Sequence, residues 1–194
     1  MNPKLKLKME TRTLVECAVM IAVGTILSMI KIDLLWGGGM TVCSMLPLVF
    51  IAHRHGTKTG LIAAFAYSLL QLVLGLDNVR YATNFWMAVG IVGLDYVVAY
   101  TVIGLSAIFD GKFKNKQTAM VAGIVFSFTL RLACHFITGV WIWEVIWPND
   151  RGWLPPVWSI AYNAMYMVPE MILTSVAACL LYKPLNSLLV RIDK

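Results

Sequence analysis

The chain has 194 residues, 59% of them hydrophobic and only 13% charged, with a net charge of +6 and a mean hydropathy of +0.75. A soluble domain carries about 25% charged residues, so this composition excludes one and specifies an integral membrane protein. Six spans of about 20 residues use ~120 residues and leave ~74 for loops and termini. That predicts a single all-α six-helix membrane domain over residues 1–194 with no space for an ATPase or kinase domain, and no Gly-rich Lys-Ser/Thr loop is present.

A basic lead-in, residues 1–12, precedes the first predicted span, 13–30. This run lacks an Ala-x-Ala cleavage site and reads as a retained span rather than a signal peptide. Within it Ala18 and Ala22 are four apart, a spacing that lets another helix approach closely; packing inside the bundle is the simplest use. The loop from Lys31 to Gly39 sets Trp36 beside three glycines. It reads equally as a mobile flap with an aromatic tip and as a flexible connector with an interfacial tryptophan.

The second span, 40–52, contains Pro47 and is short; the basic turn 53–58 follows. Further spans are expected over 59–76, 85–109, 118–143 and 157–182. A basic turn at 110–116 and a Trp/Pro-rich loop at 144–156 separate the last three. Cys17, Cys43, Cys134 and Cys179 stand in apolar runs without paired spacing and read as packing residues, with no disulfide or metal role.

Lys and Arg are distributed unevenly. The N-terminus, the turns at 53–58 and 110–116 and the C-terminal tail hold twelve of them, whereas the other loops hold only Lys31, Arg80 and Arg151. The positive-inside rule then places both termini in the cytoplasm of a multi-pass cell-membrane protein. The basic charge is a topology signal and does not imply nucleic-acid binding.

Arg131, His135, Gly139 and Trp143 recur every four residues inside the fifth span, forming one slowly drifting helical stripe. Polar groups at such depth are costly, on the order of 3 kcal/mol for an arginine. The sixth span carries Trp158, Tyr162, Asn163, Tyr166 and Glu170 toward one side, and the fourth contributes Asp95 with Tyr96. At 1.5 Å per residue Asn163, His135 and Asp95 lie roughly 9, 12 and 15 Å from the outer helix ends and gather in the outer half of the membrane. Tryptophan and tyrosine faces attract cations, and a carboxylate adds negative charge. The implied ligand is small, flat, heteroaromatic and cationic. The alternative is that Asp95, Arg131 and His135 only satisfy one another. Arg131, deepest of the set, is expected to be a structural ion-pair partner of Asp95 or Glu170. No convincing nucleophile–base pair or metal cluster stands out, so an enzyme is not expected.

The chain resembles the thiamine-specific substrate-binding (S) components of energy-coupling factor (ECF) transporters. The residues that carry the likeness are Ala18-x-x-x-Ala22, Gly37-Gly-Gly-Met-Thr-x-x-Ser-Met-Leu-Pro47 with His53-Arg54-x-Gly56, Leu94-Asp95-Tyr96, His135-Phe-Ile-x-Gly139 with Trp143, and Ser159-Ile-Ala-Tyr162-Asn163-Ala-x-Tyr166-Met-Val-Pro169. The resemblance implies a subunit that binds thiamine from outside, requires no cofactor, and joins a membrane coupling protein and two ABC ATPases through the Ala18/Ala22 face. It implies ligand contacts at Asp95, Tyr96, His135, Gly139, Trp143 and Asn163, with a lid tryptophan near Trp36; Trp158 and Tyr162 belong to the expected aromatic wall. The family pattern has Glu in place of Asp95 and Tyr in place of Trp158. Two alternatives remain open: an S component for a thiamine precursor or analogue, and a stand-alone ion-coupled transporter of small cations.

Overall fold

The computed structural model describes residues 3–185. Helix α1, Pro3–Met29, enters a small antiparallel hairpin of β1, Lys31–Asp33, and β2, Gly39–Thr41. Helices α2, Leu46–His55, and α3, Thr57–Leu74, follow, then the single turn α4, Leu76–Val79. Three long helices complete the bundle: α5, Phe85–Ala107, α6, Lys116–Ile146, and α7, Pro155–Tyr182.

Local chemistry sets the ends. Asn84 and Asn115 cap α5 and α6 by accepting backbone N–H groups from Met87 and Gln117, which satisfies donors that a helix start leaves open. Pro155 and Pro156 stand in the first turn of α7, where a missing N–H costs nothing.

Five helices are long and apolar enough to cross a membrane: Thr11–Met29, Thr57–Leu74, Phe85–Ala107, Lys116–Ile146 and Pro155–Tyr182. The expected second span, 40–52, has a different form. Met40 and Thr41 belong to β2, and α2 is a 10-residue helix whose residues are all buried. At 1.5 Å per residue α2 covers about 15 Å, half of a hydrocarbon core. Its C-terminal end lies beside the N-terminal part of apolar α1: Glu16 accepts from Arg54 Nε at 2.6 Å, Arg54 Nη2 at 2.9 Å and His55 Nε2 at 2.9 Å. Helix α2 therefore runs antiparallel to α1 and forms the centre of the bundle. Leu48, Val49 and Ile51 pack there with Tyr67 of α3, Ile103 of α5 and Phe128 of α6.

Ala18 and Ala22 are both exposed, on a face of α1 that also presents Leu14, Val15, Val19 and Ile26. Packing of this pair inside the bundle, the simplest expectation, is thus overturned. The basic tail residues Arg191 and Lys194 lie outside the described residues.

Candidate functional site

A cavity of about 1020 Å³ opens beneath the hairpin and the 147–154 loop. All nine residues expected to contact ligand line it: Trp36, Asp95, Tyr96, His135, Gly139, Trp143, Trp158, Tyr162 and Asn163.

The floor is ionic. Arg131 and Glu170, 5% and 1% exposed, pair through Arg131 Nη1 and Glu170 Oε2 at 3.1 Å, so the structural ion pair foreseen for Arg131 is made with Glu170. The Arg131 guanidinium also lies 4.9 Å from the centre of the Tyr100 ring. The other Glu170 oxygen accepts the Thr41 hydroxyl and, at 3.3 Å, that of Ser44. This single carboxylate thereby ties α6, α7 and the base of the hairpin together.

Above the floor, Asp95 collects three donors. Its Oδ1 accepts the Thr138 hydroxyl and faces His135 Nδ1 at 3.1 Å, while Oδ2 accepts the Trp143 indole N–H at 2.7 Å. The other ring nitrogen of His135, Nε2, is buried without a partner. Asp95 and Tyr96 lie in a π-helical stretch of α5, Ile91–Val98, and Trp143 ends a second one, Gly139–Trp143 in α6. Widened turns of this kind recur at functional sites because they re-aim side chains out of α register.

Other expected site residues prove to be partly structural. The Asn163 amide donates to Ser159 O at 2.9 Å and accepts from the Tyr166 hydroxyl at 2.6 Å. The Tyr96 hydroxyl donates to Gly75 O at 3.0 Å and accepts from Asn78 at 2.7 Å. Gly139 lets α7 approach: a Cβ there would stand 2.1 Å from Ser159 Oγ. The gap at Gly139 is filled by the neighbouring helix.

The mouth is aromatic. Trp36 packs on Trp158 at 5.3 Å and Trp153 at 6.2 Å, and Trp158 continues to Tyr162 at 5.8 Å. Gly38 matters here, since a Cβ on it would meet the Tyr166 ring at 2.7 Å. The loop at 31–39 is therefore an ordered hairpin seated on α7, closed by Leu34 N–H to Gly38 O at 2.8 Å, with Gly37 at φ +91°. The Arg151 guanidinium lies over both Trp36 and Trp158, at 5.2 and 5.8 Å.

Sequence reasoning passed over Thr138, Ser159, Trp147 and Glu144. Trp147 had a signal, because it extends the four-residue stripe by one step; its ring stacks on Trp143 at 5.4 Å with 7° between planes. Among the ionisable residues lining the cavity, five carboxylates (Asp33, Asp95, Glu144, Asp150 and Glu170) face two cations, Lys31 and Arg131. A wall with this surplus favours a cationic occupant.

The fold and cavity together define a multi-pass membrane protein with a loop-capped internal chamber of small-molecule size. The chain belongs to the family described as Thiamine transporter protein (Thia_YuaJ), which it matches over residues 14–190, and so to transport proteins rather than enzymes. It is 31% identical over 183 residues to the Thiamine transporter ThiT of Bacillus subtilis (strain 168), covering 87% of this chain and 89% of that one. The fold is similar to the ThiT structure from Listeria monocytogenes, with a TM-score of 0.75 at 21% identity, over 94% of this chain and 99% of that one. It also resembles the S component of a bacterial ECF transporter, with a TM-score of 0.64 at 16% identity and the same coverage.

Proposed function

We propose that this chain is the thiamine-binding S component of an ECF-type importer, with the chamber as its binding site. The observation that carries the reading is the Asp95 carboxylate, which holds the His135 ring and the Trp143 indole inside a wall with surplus carboxylates. Thiamine joins an aminopyrimidine, with hydrogen-bonding groups suited to such an edge, to a thiazolium cation suited to aromatic faces. Ligand contacts are assigned to Asp95, His135, Trp143, Trp158, Tyr162 and Trp36. Tyr96, Gly139 and Asn163 position that wall.

The chain crosses the membrane six times with both termini cytoplasmic, α2 and its hairpin together making the second crossing. The Lys/Arg distribution and the antiparallel course of α2 beside α1 support this topology. The exposed Ala18/Ala22 face of α1 is where the coupling protein docks, and two ABC ATPases supply the energy.

Titration of the purified chain with thiamine, followed by tryptophan fluorescence, tests the site. Saturable quenching by thiamine, far weaker with the free hydroxymethylpyrimidine, is expected. Equal affinity for the pyrimidine alone would assign the chamber to a precursor instead. Uptake that persists in cells lacking the coupling ATPases would overturn the ECF assignment in favour of a stand-alone transporter.

A further inference from the structure

Glu144 follows Trp143 at the outer end of α6 and lines the chamber. Its Oε1 accepts two hydrogen bonds from Asn149, from the backbone N–H at 3.1 Å and from Nδ2 at 2.7 Å. Asn149 is itself braced by Trp153, donating to its carbonyl at 3.0 Å and accepting its N–H at 3.1 Å. The carboxylate is thus held in one orientation. Its Oε2 is shielded from solvent and accepts nothing. An acceptor fixed in place and left unpaired invites a donor from whatever fills the chamber.

The surroundings decide which donor suits it. Asp33 and Asp150 also line the mouth, against Lys31 and the Arg151 guanidinium, which lies over Trp36 and Trp158. Among the described residues Arg151 makes no ion pair with Glu144. Three carboxylates against two cations leave this end of the chamber better suited to a neutral hydroxyl than to an anion. Glu144 stands nine residues beyond His135, roughly 13 Å further out along the helix axis. With the pyrimidine edge at His135, the tail of an extended ligand reaches toward Glu144.

We propose that Glu144 is a specificity-determining residue that accepts the terminal hydroxyl of the ligand and discriminates against its phosphate ester. This rests on the thiamine reading above. Thiamine ends in a hydroxyethyl group, an O–H donor. Phosphorylation removes that donor and adds a charge of about −1.5 to −2 beside a carboxylate that cannot turn away.

The test uses the full-length purified chain, its Glu144→Gln and Glu144→Asp variants, and titrations with thiamine and thiamine monophosphate. The wild-type chain is expected to prefer thiamine. Glu144→Gln, nearly isosteric, is expected to weaken thiamine roughly tenfold while monophosphate binding holds or tightens, so the preference shrinks by tenfold or more. Glu144→Asp keeps the charge and is expected to keep most of the preference. A structural defect would move both dissociation constants together and leave their ratio unchanged. An unchanged ratio in Glu144→Gln overturns this inference alone. A wild-type chain that binds neither compound overturns the thiamine reading and this inference with it.

Discussion

The Trp143 indole N–H points at Asp95 Oδ2 from 2.7 Å, so an aromatic wall on α6 and an acid on α5 act as one unit. Thr138 and His135 engage the other oxygen, and the acid is 5% exposed. Replacing it with Asn removes the charge and can turn an amide N–H against a donor. Asp95→Asn is expected to weaken thiamine binding by about 2–3 kcal/mol, roughly 30- to 150-fold, with the yield of folded protein near normal. Calorimetric titration checks this; unaltered affinity would remove Asp95 from the ligand's reach.

Gly139 is expected to be a packing requirement rather than a ligand contact. Gly139→Ala would place a methyl group 2.1 Å from Ser159 Oγ and 3.3 Å from the Asn163 amide, separating α6 from α7. A loss of about 1–3 kcal/mol is expected, read as a lower thermal midpoint in detergent without ligand. Gly93→Ala is the control, because a Cβ there has nothing within 4 Å, and its midpoint should hardly move.

The Arg131–Glu170 pair predicts non-additivity. Removing one partner leaves a buried charge, a loss of about 3–5 kcal/mol. Glu170→Met alone is therefore expected to reduce folded yield sharply, and the Arg131→Met, Glu170→Met double variant to recover much of it. Thermal unfolding of the three variants gives the coupling. A double variant no better than the worse single one would show that the Thr41 and Ser44 bonds to Glu170 matter more than the ion pair.

Ala18→Trp and Ala22→Trp separate binding from transport. Both positions are exposed and neither lines the chamber. Thiamine affinity in detergent should match the wild-type chain, while uptake into cells with the complete transporter should fall to background. Normal uptake would move the docking face off this side of α1.

Much of this architecture was legible because apolar run length is a strong signal in a membrane chain. The four-residue stripe located His135, Gly139 and Trp143 on one wall, and Asp95 stood out as a carboxylate within an apolar run. The start of the second span was misread as helix: Met40 and Thr41 pair with Ile32 and Lys31 as strand, and hydropathy cannot separate that from a helix start. Thr138 escaped notice although the 100° step places it beside Arg131 on the same face, because its value lies in a hydroxyl bond across to Asp95, a tertiary fact. Glu144 read as loop because its value lies in one oxygen being tied down by Asn149, a tertiary fact.

The guanidinium of Arg151 over Trp36 and Trp158 joins two loops through one aromatic pair, since Trp36 belongs to the hairpin and Arg151 to the 147–154 segment. The aromatic rim of the chamber thus carries a cation supplied by the chain itself. Any other cation that took those ring faces would have to displace it.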